Sequence, residues 1–499
     1  RTYNHPPINH DPPMPSPDRE IVLSLISHTN VGKTALARTL LRRDVGEVAD
    51  SAHVTVIPEA HTLIKTEGIT AKLWDTPGFG SNLAKLAKRL RTSKNPVGWI
   101  LHQVWDRTLD KSLWCSQEAI RNVQSEADVV LYLVDASQPP ETLGFVSLEV
   151  EIIEWIGKPV LVFLNQTGQP DSERDRANEE AWRQHFKNFE IVRHVGSLDA
   201  FTRCWTQEHL ILKKAEDLVS KDQRSAAEKI TDAWIERNMT VFGEVVTSMA
   251  KWAKVALTDS ESLPQKDLTE KLRELVLRSE RSKDLDKIQE AMYGRLAENT
   301  AATVNELISL HGLDGQTAST LAETSLEEFA VKRDIEEPLA ATIGGAVSGL
   351  VGGLSADLIS GGMTFGGGAV IGMLLGGATT FALTRGYNLT RSGQNGVRWT
   401  EAHFMTQVKF IIMLYLAVAH YGRGRGAWQD PTNNPAHWET IVDAEIALNA
   451  ERLKELWKRG ESASGSATLN QHLKKFFQQS LSNILGRLYP DSQSLFKRR

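Results

Sequence analysis

The residues best suited to chemistry lie in one short stretch, Ser27–Thr34, which reads Ser-His-Thr-Asn-Val-Gly-Lys-Thr. An apolar run at 21–26 predicts a buried strand before it, and the pattern at 35–41 predicts a helix after it. A strand, a loop, Gly-Lys-Thr and a helix are the pattern of a phosphate-binding loop. Backbone N–H groups and the helix N-terminus would face the phosphates, with Lys33 at the β- and γ-phosphates and the Thr34 hydroxyl on Mg²⁺. We therefore predict nucleotide contacts from Asn30, Val31, Gly32, Lys33, Thr34 and Ala35.

One position in this loop departs from the pattern. The first glycine of the pattern is Ser27 here. A serine fits that position only if its φ is negative or the turn relaxes, because only glycine adopts positive φ without steric cost.

A second motif, Asp75-Thr76-Pro77-Gly78, follows a β-rich run at 69–74. That run and the run at 54–64 flank Glu67-Gly68, which predicts a hairpin. A carboxylate at a strand end can hold Mg²⁺, so Asp75 is a candidate for the metal shell and the Gly78 N–H for sensing the γ-phosphate. Thr55, upstream, is a candidate second Mg²⁺ ligand in a segment that orders with the γ-phosphate. The alternative for Asp75–Gly78 is an ordinary turn.

Two further apolar runs, 127–135 and 159–164, have strand length, and helical stretches separate them. This alternation predicts a mostly parallel sheet with helices on both faces. Ligands of such sheets bind beyond the carboxyl ends of the strands, where Ser27, Asp75 and Asn165 all fall.

In order and spacing, these motifs resemble the Era-like GTPases of the translation-factor-related class. The resemblance covers residues 19–205, and the segments 164–168 and 415–420 resemble a bacterial subfamily with a long C-terminal domain of unknown function. It implies an α/β domain with a six-stranded mixed, mostly parallel sheet, and a magnesium-dependent switch that binds GTP or GDP and hydrolyses GTP. Lys33, Thr55 and Gly78 would serve catalysis, and Thr34, Thr55 and Asp75 would hold the metal.

The base-recognition motif of that family is Asn-Lys-x-Asp, whereas this chain has Asn165-Gln166-Thr167-Gly168. Asn165 and Gln166 are the expected base contacts, but Gly168 supplies no carboxylate for the guanine edge. Losing a polar contact of this kind lowers selectivity, which leaves the choice between GTP and ATP open. Ser197 is either a second base contact or an ordinary helix cap.

Catalysis shows another departure. Ras-type enzymes orient the attacking water with a glutamine after the switch glycine, where this chain has Phe79. We therefore expect slow hydrolysis. Asn30 is either a residue that helps to hold K⁺ near the phosphates, as in potassium-dependent relatives, or a local turn former.

The whole-chain composition sets further limits. The chain has 499 residues, 41% of them hydrophobic and 24% charged, which are globular values. A net charge of −5 indicates no nucleic-acid partner, and two cysteines fit a reducing compartment such as the cytoplasm. The expected divisions are a flexible tail at 1–18, the GTPase domain at 19–205, a helical domain at 206–338, a glycine-rich hairpin at 339–383 and a C-terminal helical region at 384–499.

Residues 339–383 contain one charge, Asp357, and glycines at repeated four-residue spacing. Such spacing lets two helices pack closely. The segment is either a membrane hairpin, which would place the protein at the cytoplasmic face of the inner membrane with a lipid or membrane-protein partner, or a buried hairpin of a soluble domain. The sequence is also compatible with a homo-oligomer. The rival functions are a nucleotide-binding scaffold with little hydrolysis and a membrane-remodelling or channel-regulating protein.

Two other segments carry specific expectations. Residues 80–126 are either a packed helical insert or a partner surface, and 408–419 predict a helix that is apolar all round and so buried or interfacial. Residues 209–257 predict one long helical stretch.

Overall fold

A computed structural model of the chain describes residues 19–43, 45, 57–80, 82–83, 87–103, 109–165, 172–198, 204–262, 283–313, 396–420, 436–462 and 467–497. Several of the predictions above fall outside these residues. They concern the tail at 1–18, Thr55, the segment 166–168 and the glycine-rich hairpin at 339–383.

A six-stranded sheet forms the centre of the N-terminal part. Its order is β2-β3-β1-β4-β5-β6, and every neighbouring pair is parallel except β2 with β3. The prediction of a mixed, mostly parallel sheet is confirmed. The central parts of strands β1, β4 and β5 are mostly apolar because helices cover both faces of the sheet. The strands are β1 Arg19–Ser27, β2 Glu59–Thr66, β3 Ile69–Asp75, β4 Val129–Asp135, β5 Val160–Asn165 and β6 Val192–Ser197.

The predicted hairpin joins β2 and β3. Glu67 has φ 43° and Gly68 has φ 76°, so both residues of the two-residue turn are left-handed. This turn matches the twist of antiparallel strands. The hairpin prediction is confirmed, and it places Asp75 at the same sheet edge as the end of β1.

The helices that lie between β3 and β6 in the sequence cover one face of the sheet. Leu90, Ile100 and Ile120 are fully buried against that face. Among the described residues of 80–126, the packed-insert interpretation is therefore confirmed. These helices are α2 Ala87–Thr92, α3 Pro96–His102, α4 Lys111–Ser125, α5 Phe145–Ile156 and α6 Ser172–Phe186.

The other face is covered by α1 (Lys33–Leu41), α7 (Trp205–Glu216) and the first part of α8 (Arg224–Thr258). The single helical stretch predicted for 209–257 is wrong in one respect, since the chain turns between α7 and α8. There the Ser220 hydroxyl donates to the side-chain Oε1 of Gln223 at 2.7 Å, and the Gln223 side-chain amide donates to Asp128 Oδ1 at 2.9 Å. The Gln223 Oε1 also accepts the Ser220 backbone N–H at 3.3 Å, so a side chain takes the place of a helical backbone partner there.

Helix α8 belongs to two hydrophobic cores. Ile230 and Trp234 lie in the core of the sheet, whereas Val245, Met249 and Trp252 lie in the core of the C-terminal helices. The apolar core of the sheet thus continues beyond residue 205.

The C-terminal helices pack around α8. They are α9 Lys283–Leu310, α10 Glu401–Ala419, α11 Ala436–Leu448, α12 Ala450–Ser462, α13 Ala467–Leu488 and α14 Ser494–Lys497. A two-stranded antiparallel sheet, β7 Ser260–Ser262 and β8 Gly396–Arg398, adjoins them.

Within the described part of the chain, α10 is the one helix long and apolar enough to cross a membrane. However, 78% of its apolar window is buried inside the protein. Of the two predictions for 408–419, buried or interfacial, the structure supports the buried one. A core helix passes the same test of length and composition as a membrane helix.

Candidate functional site

The loop between β1 and α1 has the backbone shape that an anion site needs. Gly32 has φ 98° and Asn30 has φ 63°. Glycine adopts this conformation freely, and asparagine tolerates it better than most residues. Gly32 also caps α1 without a side chain, so an anion can take the place of a side-chain cap at the helix N-terminus. Ser27 is not among the positive-φ residues, as its identity required.

The ammonium of Lys33 lies inside this loop. Its Nζ is 3.0 Å from the Ser27 Oγ and 3.3 Å from the His28 carbonyl oxygen. The Ser27 hydroxyl in turn donates to the same carbonyl at 2.5 Å. Burial lowers the pKa of Lys33, while the carboxylates of Asp75 and Glu149 raise it. A desolvated cation is thus held where phosphate oxygens would replace the lost water.

Thr34 and Asp75 form the oxygen pair expected for a metal. The Thr34 hydroxyl donates to Asp75 Oδ2 at 2.6 Å, and Asp75 is 2% exposed. Burial raises the pKa of the Asp75 carboxyl, whereas the hydrogen bond from Thr34 and the charge of Lys33 act to lower this pKa. One hydroxyl and one carboxylate fit Mg²⁺, which completes its octahedron with water and substrate phosphates.

The described residues contain no group of three or more His, Cys, Asp or Glu side chains that could hold a metal. A site of the Thr34–Asp75 kind does not need such a group, since most of its ligands come from outside the protein.

The turn after β3 is tied to the loop by backbone bonds. The Phe79 N–H donates to the Ser27 carbonyl at 2.8 Å, and the Thr29 N–H donates to the Phe79 carbonyl at 3.2 Å. The Thr76 hydroxyl donates to the Leu25 carbonyl at 2.5 Å. Phe79 is fully buried, so its ring fills the core and offers no group to orient a water.

Gly78 is packed too closely for a side chain. A Cβ there would lie 2.8 Å from the Thr29 Cα and 3.0 Å from the Lys33 Nζ. We expect Gly78→Ala to push the turn away from the loop and to weaken binding of a non-hydrolysable GTP analogue about tenfold or more, since overpacking costs about 1–3 kcal/mol. GDP affinity should fall less, because Gly78 is the expected γ-phosphate contact.

Titration calorimetry of the Gly78→Ala variant with both nucleotides measures the two affinities. Gly144→Ala is the matched control, because a Cβ at Gly144 meets nothing within 4 Å. Equal affinities in the Gly78 variant and the control would contradict the role given to the close approach.

Asn165 and Ser197 lie at the carboxyl ends of the neighbouring strands β5 and β6. The Asn165 amide is fully buried and donates to the Val31 carbonyl at 2.6 Å, so it braces the phosphate-binding loop. The Ser197 hydroxyl donates to Glu179 Oε2 at 3.1 Å. Neither contact decides between the base-contact and cap interpretations of Ser197, and both base roles stay predictions.

The structure therefore brings most of the predicted residues to one edge of the sheet. Lys33, Thr34, Asp75 and Gly78 converge, and Asn165 joins them through the loop backbone. The side chains of Val31 and Ala35 are buried in the core, which leaves only their backbones to face a ligand. Thr55 and Gln166 lie outside the described residues.

Sequence reasoning missed one group beside the loop. The Nδ1 of His28 is 2.6 Å from Glu149 Oε1, the Tyr132 hydroxyl donates to Glu149 Oε2 at 2.6 Å, and the His28 ring stacks on Phe145 at 3.9 Å. The available signal was an acidic residue within the apolar run of α5, Phe-Val-Ser-Leu-Glu-Val-Glu-Ile-Ile.

This sheet order, with a phosphate-binding loop after β1 and an aspartate at the end of β3, defines a P-loop GTPase domain. The family described as 50S ribosome-binding GTPase matches residues 22–166. The chain belongs to the family described as domain of unknown function (DUF3482), which matches residues 188–486. That match begins before β6, so it includes the last strand of the GTPase sheet.

Several solved structures are similar to part of the chain. A variant of Era from Aquifex aeolicus, bound to GDP and aluminium fluoride, is 17% identical over 41% of this chain and 58% of its own, with a TM-score of 0.30. Era bound to MgGDPNP and a segment of 16S ribosomal RNA is 18% identical over 36% of this chain and 51% of its own, with a TM-score of 0.26. Elongation factor SelB from Methanococcus maripaludis, with a GTP analogue, is 16% identical over 36% of this chain and 29% of its own, with a TM-score of 0.23.

The match thus spans little more than half of the two Era chains. No curated protein sequence matches the chain.

Proposed function

We propose that the protein is a switch of the Era-like kind that binds GTP and GDP and hydrolyses GTP slowly. The observation that supports this most is the convergence of three elements at one sheet edge. The Lys33 ammonium lies 3.0 Å from Ser27 in the loop, the Thr34 hydroxyl lies 2.6 Å from Asp75, and Gly78 packs against Thr29. A phosphate chain entering the loop would meet a cation, a metal site and a backbone N–H in turn.

The residues have separate roles in this proposal. Lys33 binds the β- and γ-phosphates, and the loop backbone from Asn30 to Ala35 cradles them. Thr34 and Asp75, with Thr55, would hold Mg²⁺, which when bound neutralises charge on the phosphate oxygens. Gly78 contacts the γ-phosphate and reports its loss through the Phe79 bridge to the loop.

Slow hydrolysis follows from Phe79, which cannot orient water. For Asn30, we propose that its side-chain amide helps to hold K⁺ beside the phosphates. The K⁺ ion would then act as an arginine finger does. We expect phosphate release from GTP to be faster in K⁺ than in Na⁺, and this difference to disappear in Asn30→Gly. Glycine is the right replacement because it keeps the left-handed φ of 63° and removes only the side chain.

The assay is phosphate release at matched ionic strength, with Mg²⁺ present and then chelated. Absence of any hydrolysis in either salt would overturn the enzymatic proposal and favour the nucleotide-binding scaffold. Hydrolysis with equal rates in the two salts would remove only the potassium role and leave Asn30 as a turn former.

For base choice, we propose weak preference for guanine, because Gly168 brings no carboxylate to the base. Competition of GTP and ATP for the same site measures it. A GTP preference beyond about ten-thousandfold, the range reached by sites that hydrogen-bond the distinguishing group, would mean that another residue reads the base.

For location, we propose the cytoplasmic face of a bacterial inner membrane, reached through residues 339–383. The support is the low charge and glycine spacing of that sequence. Flotation with liposomes of the full chain, but not of a chain lacking 339–383, is the expected result. Flotation of neither would make the hairpin part of a soluble core.

A further inference from the structure

We propose that Glu149 is a positioning residue for the phosphate-binding loop, which it holds through the imidazole of His28. Glu149 belongs to α5 and His28 to the loop, so the contact joins a helix on one face of the sheet to the Lys33 site. The kinetic part of this inference rests on the proposed GTP hydrolysis.

The contact has defined geometry on both sides of the carboxylate. Oε1 lies 2.6 Å from the His28 Nδ1, and Oε2 accepts the Tyr132 hydroxyl at 2.6 Å. Tyr132 is on β4, the strand next to β1. The His28 ring is also stacked on Phe145, one turn before Glu149 on the same helix. His28 and Tyr132 therefore hold the Glu149 carboxylate in place. That carboxylate and the Phe145 ring in turn hold the His28 imidazole.

The position of Glu149 is an unusual one for a charge. The residue is 2% exposed, and Val146, Val150 and Ile153 around it on α5 are buried. A carboxylate in such a place is costly unless it is paired, and an apolar side chain of similar volume is often as stable or more so. Packing alone therefore does not account for a glutamate here.

What the contact controls is the His28 carbonyl. That oxygen accepts both the Lys33 ammonium at 3.3 Å and the Ser27 hydroxyl at 2.5 Å. His28 also pairs with Phe79 in the bridge that ties the switch turn to the loop. A fixed His28 ring therefore holds the His28 peptide group in place. Lys33 bonds to the carbonyl of this peptide and must turn away from it to reach the phosphates. The Glu149 charge also raises the pKa of Lys33, against the effect of burial.

The test compares three variants of the full chain. Glu149→Leu removes both hydrogen bonds and fills the volume, whereas Glu149→Gln keeps the shape and can still accept from the imidazole. Glu151→Gln is the control, because Glu151 lies on the same helix and pairs with the exposed Arg91 on the surface. We expect kcat to fall about tenfold or more in Glu149→Leu, to recover most of that loss in Glu149→Gln and to stay within twofold of wild type in Glu151→Gln.

A second readout does not depend on hydrolysis. Backbone amide NMR signals of residues 29–33, with a non-hydrolysable GTP analogue bound, should shift in Glu149→Leu and not in Glu151→Gln. If the wild-type protein hydrolyses nothing, the proposed function fails while this readout still decides the positioning role. Should Glu149→Leu not fold, His28→Phe keeps the stacking on Phe145 and removes the same bond from the loop side.

Two results would overturn the inference. One is a folded Glu149→Leu protein with wild-type kcat and unshifted loop amides, which is what a purely structural role predicts. The other is a Glu149→Gln protein as impaired as Glu149→Leu, since the contact would then not be what matters.

Discussion

Replacing Lys33 with alanine is expected to weaken nucleotide binding by about a hundredfold or more while the protein stays folded. A charged hydrogen bond contributes about 1.5–3 kcal/mol, and Lys33 would make such bonds to two phosphates. Their loss lowers affinity by about a hundredfold or more. Stability should not fall with it, because the ammonium is buried and its pKa is lowered by that burial.

The matched control is Lys158→Ala. Lys158 is a half-buried lysine that donates to the Ala127 carbonyl at 2.6 Å, next to the starts of β4 and β5 and therefore at the opposite edge of the same sheet. Calorimetric titration with GDP and a GTP analogue, and thermal unfolding, compare the two variants. A folded Lys33→Ala protein with wild-type affinity would contradict the placement of the nucleotide.

The second large effect is acid unfolding of the C-terminal helices. Burial lowers the pKa of His311, His403 and His420 from 6.5 to about 4. Below pH 6.5 the unfolded chain takes up these protons and the folded chain does not. The contribution of each neutral histidine to stability is therefore fully present above pH 6.5. It is lost progressively as the pH falls from 6.5 to about 4. Each histidine lowers the free energy of unfolding by about 1.4 kcal/mol per pH unit, or about 3 kcal/mol over this interval.

Three such groups together approach the total stability of a typical domain, about 5–15 kcal/mol. We expect the helices around α10 to unfold between pH 6 and 4. Asp259 acts in the opposite direction, because burial raises its carboxyl pKa, so a variant is needed to isolate the histidines.

His403→Phe is that variant, because a phenyl ring can keep the stacking on Trp399, whose centroid is 4.5 Å away. Urea unfolding of wild type and variant at several pH values gives the dependence of stability on pH. The variant should lose about one third of the histidine-dependent slope, and a comparison at pH 8 measures any change in packing alone. An unchanged slope would mean that His403 is not a buried neutral histidine.

Much of the site was predictable because its signals are local. Gly-Lys-Thr after an apolar run defines the loop, and Asp75 follows a strand whose hairpin partner is set by Glu67-Gly68. Strand-length apolar runs separated by helices then dictate a parallel sheet, which brings the ends of β1, β3 and β5 together.

Other features were beyond the sequence because they depend on contacts between distant residues. His28 and Glu149 are 121 positions apart, and no periodicity links a loop histidine to a helical glutamate. The apolar stripe of 209–257 shows that the helix has a buried face, but not that Ile230 and Met249 face different cores. Just before α8, Gln223 meets Asp128, which is again a tertiary contact.

Helix α8 has a mechanical consequence. It is 35 residues long, which at 1.5 Å per residue makes a rod of about 52 Å. One end is clamped to the sheet that carries the nucleotide site and the other to the C-terminal helices. A rotation of about 5° at the sheet would displace the far end by about 4–5 Å, so the rod acts as a lever that magnifies small movements. The change from one core to the other falls directly after Trp234, because Ile235 and Met239 already pack against the C-terminal core. The stiffness of the helix at this junction would then set how much of each movement reaches the C-terminal helices.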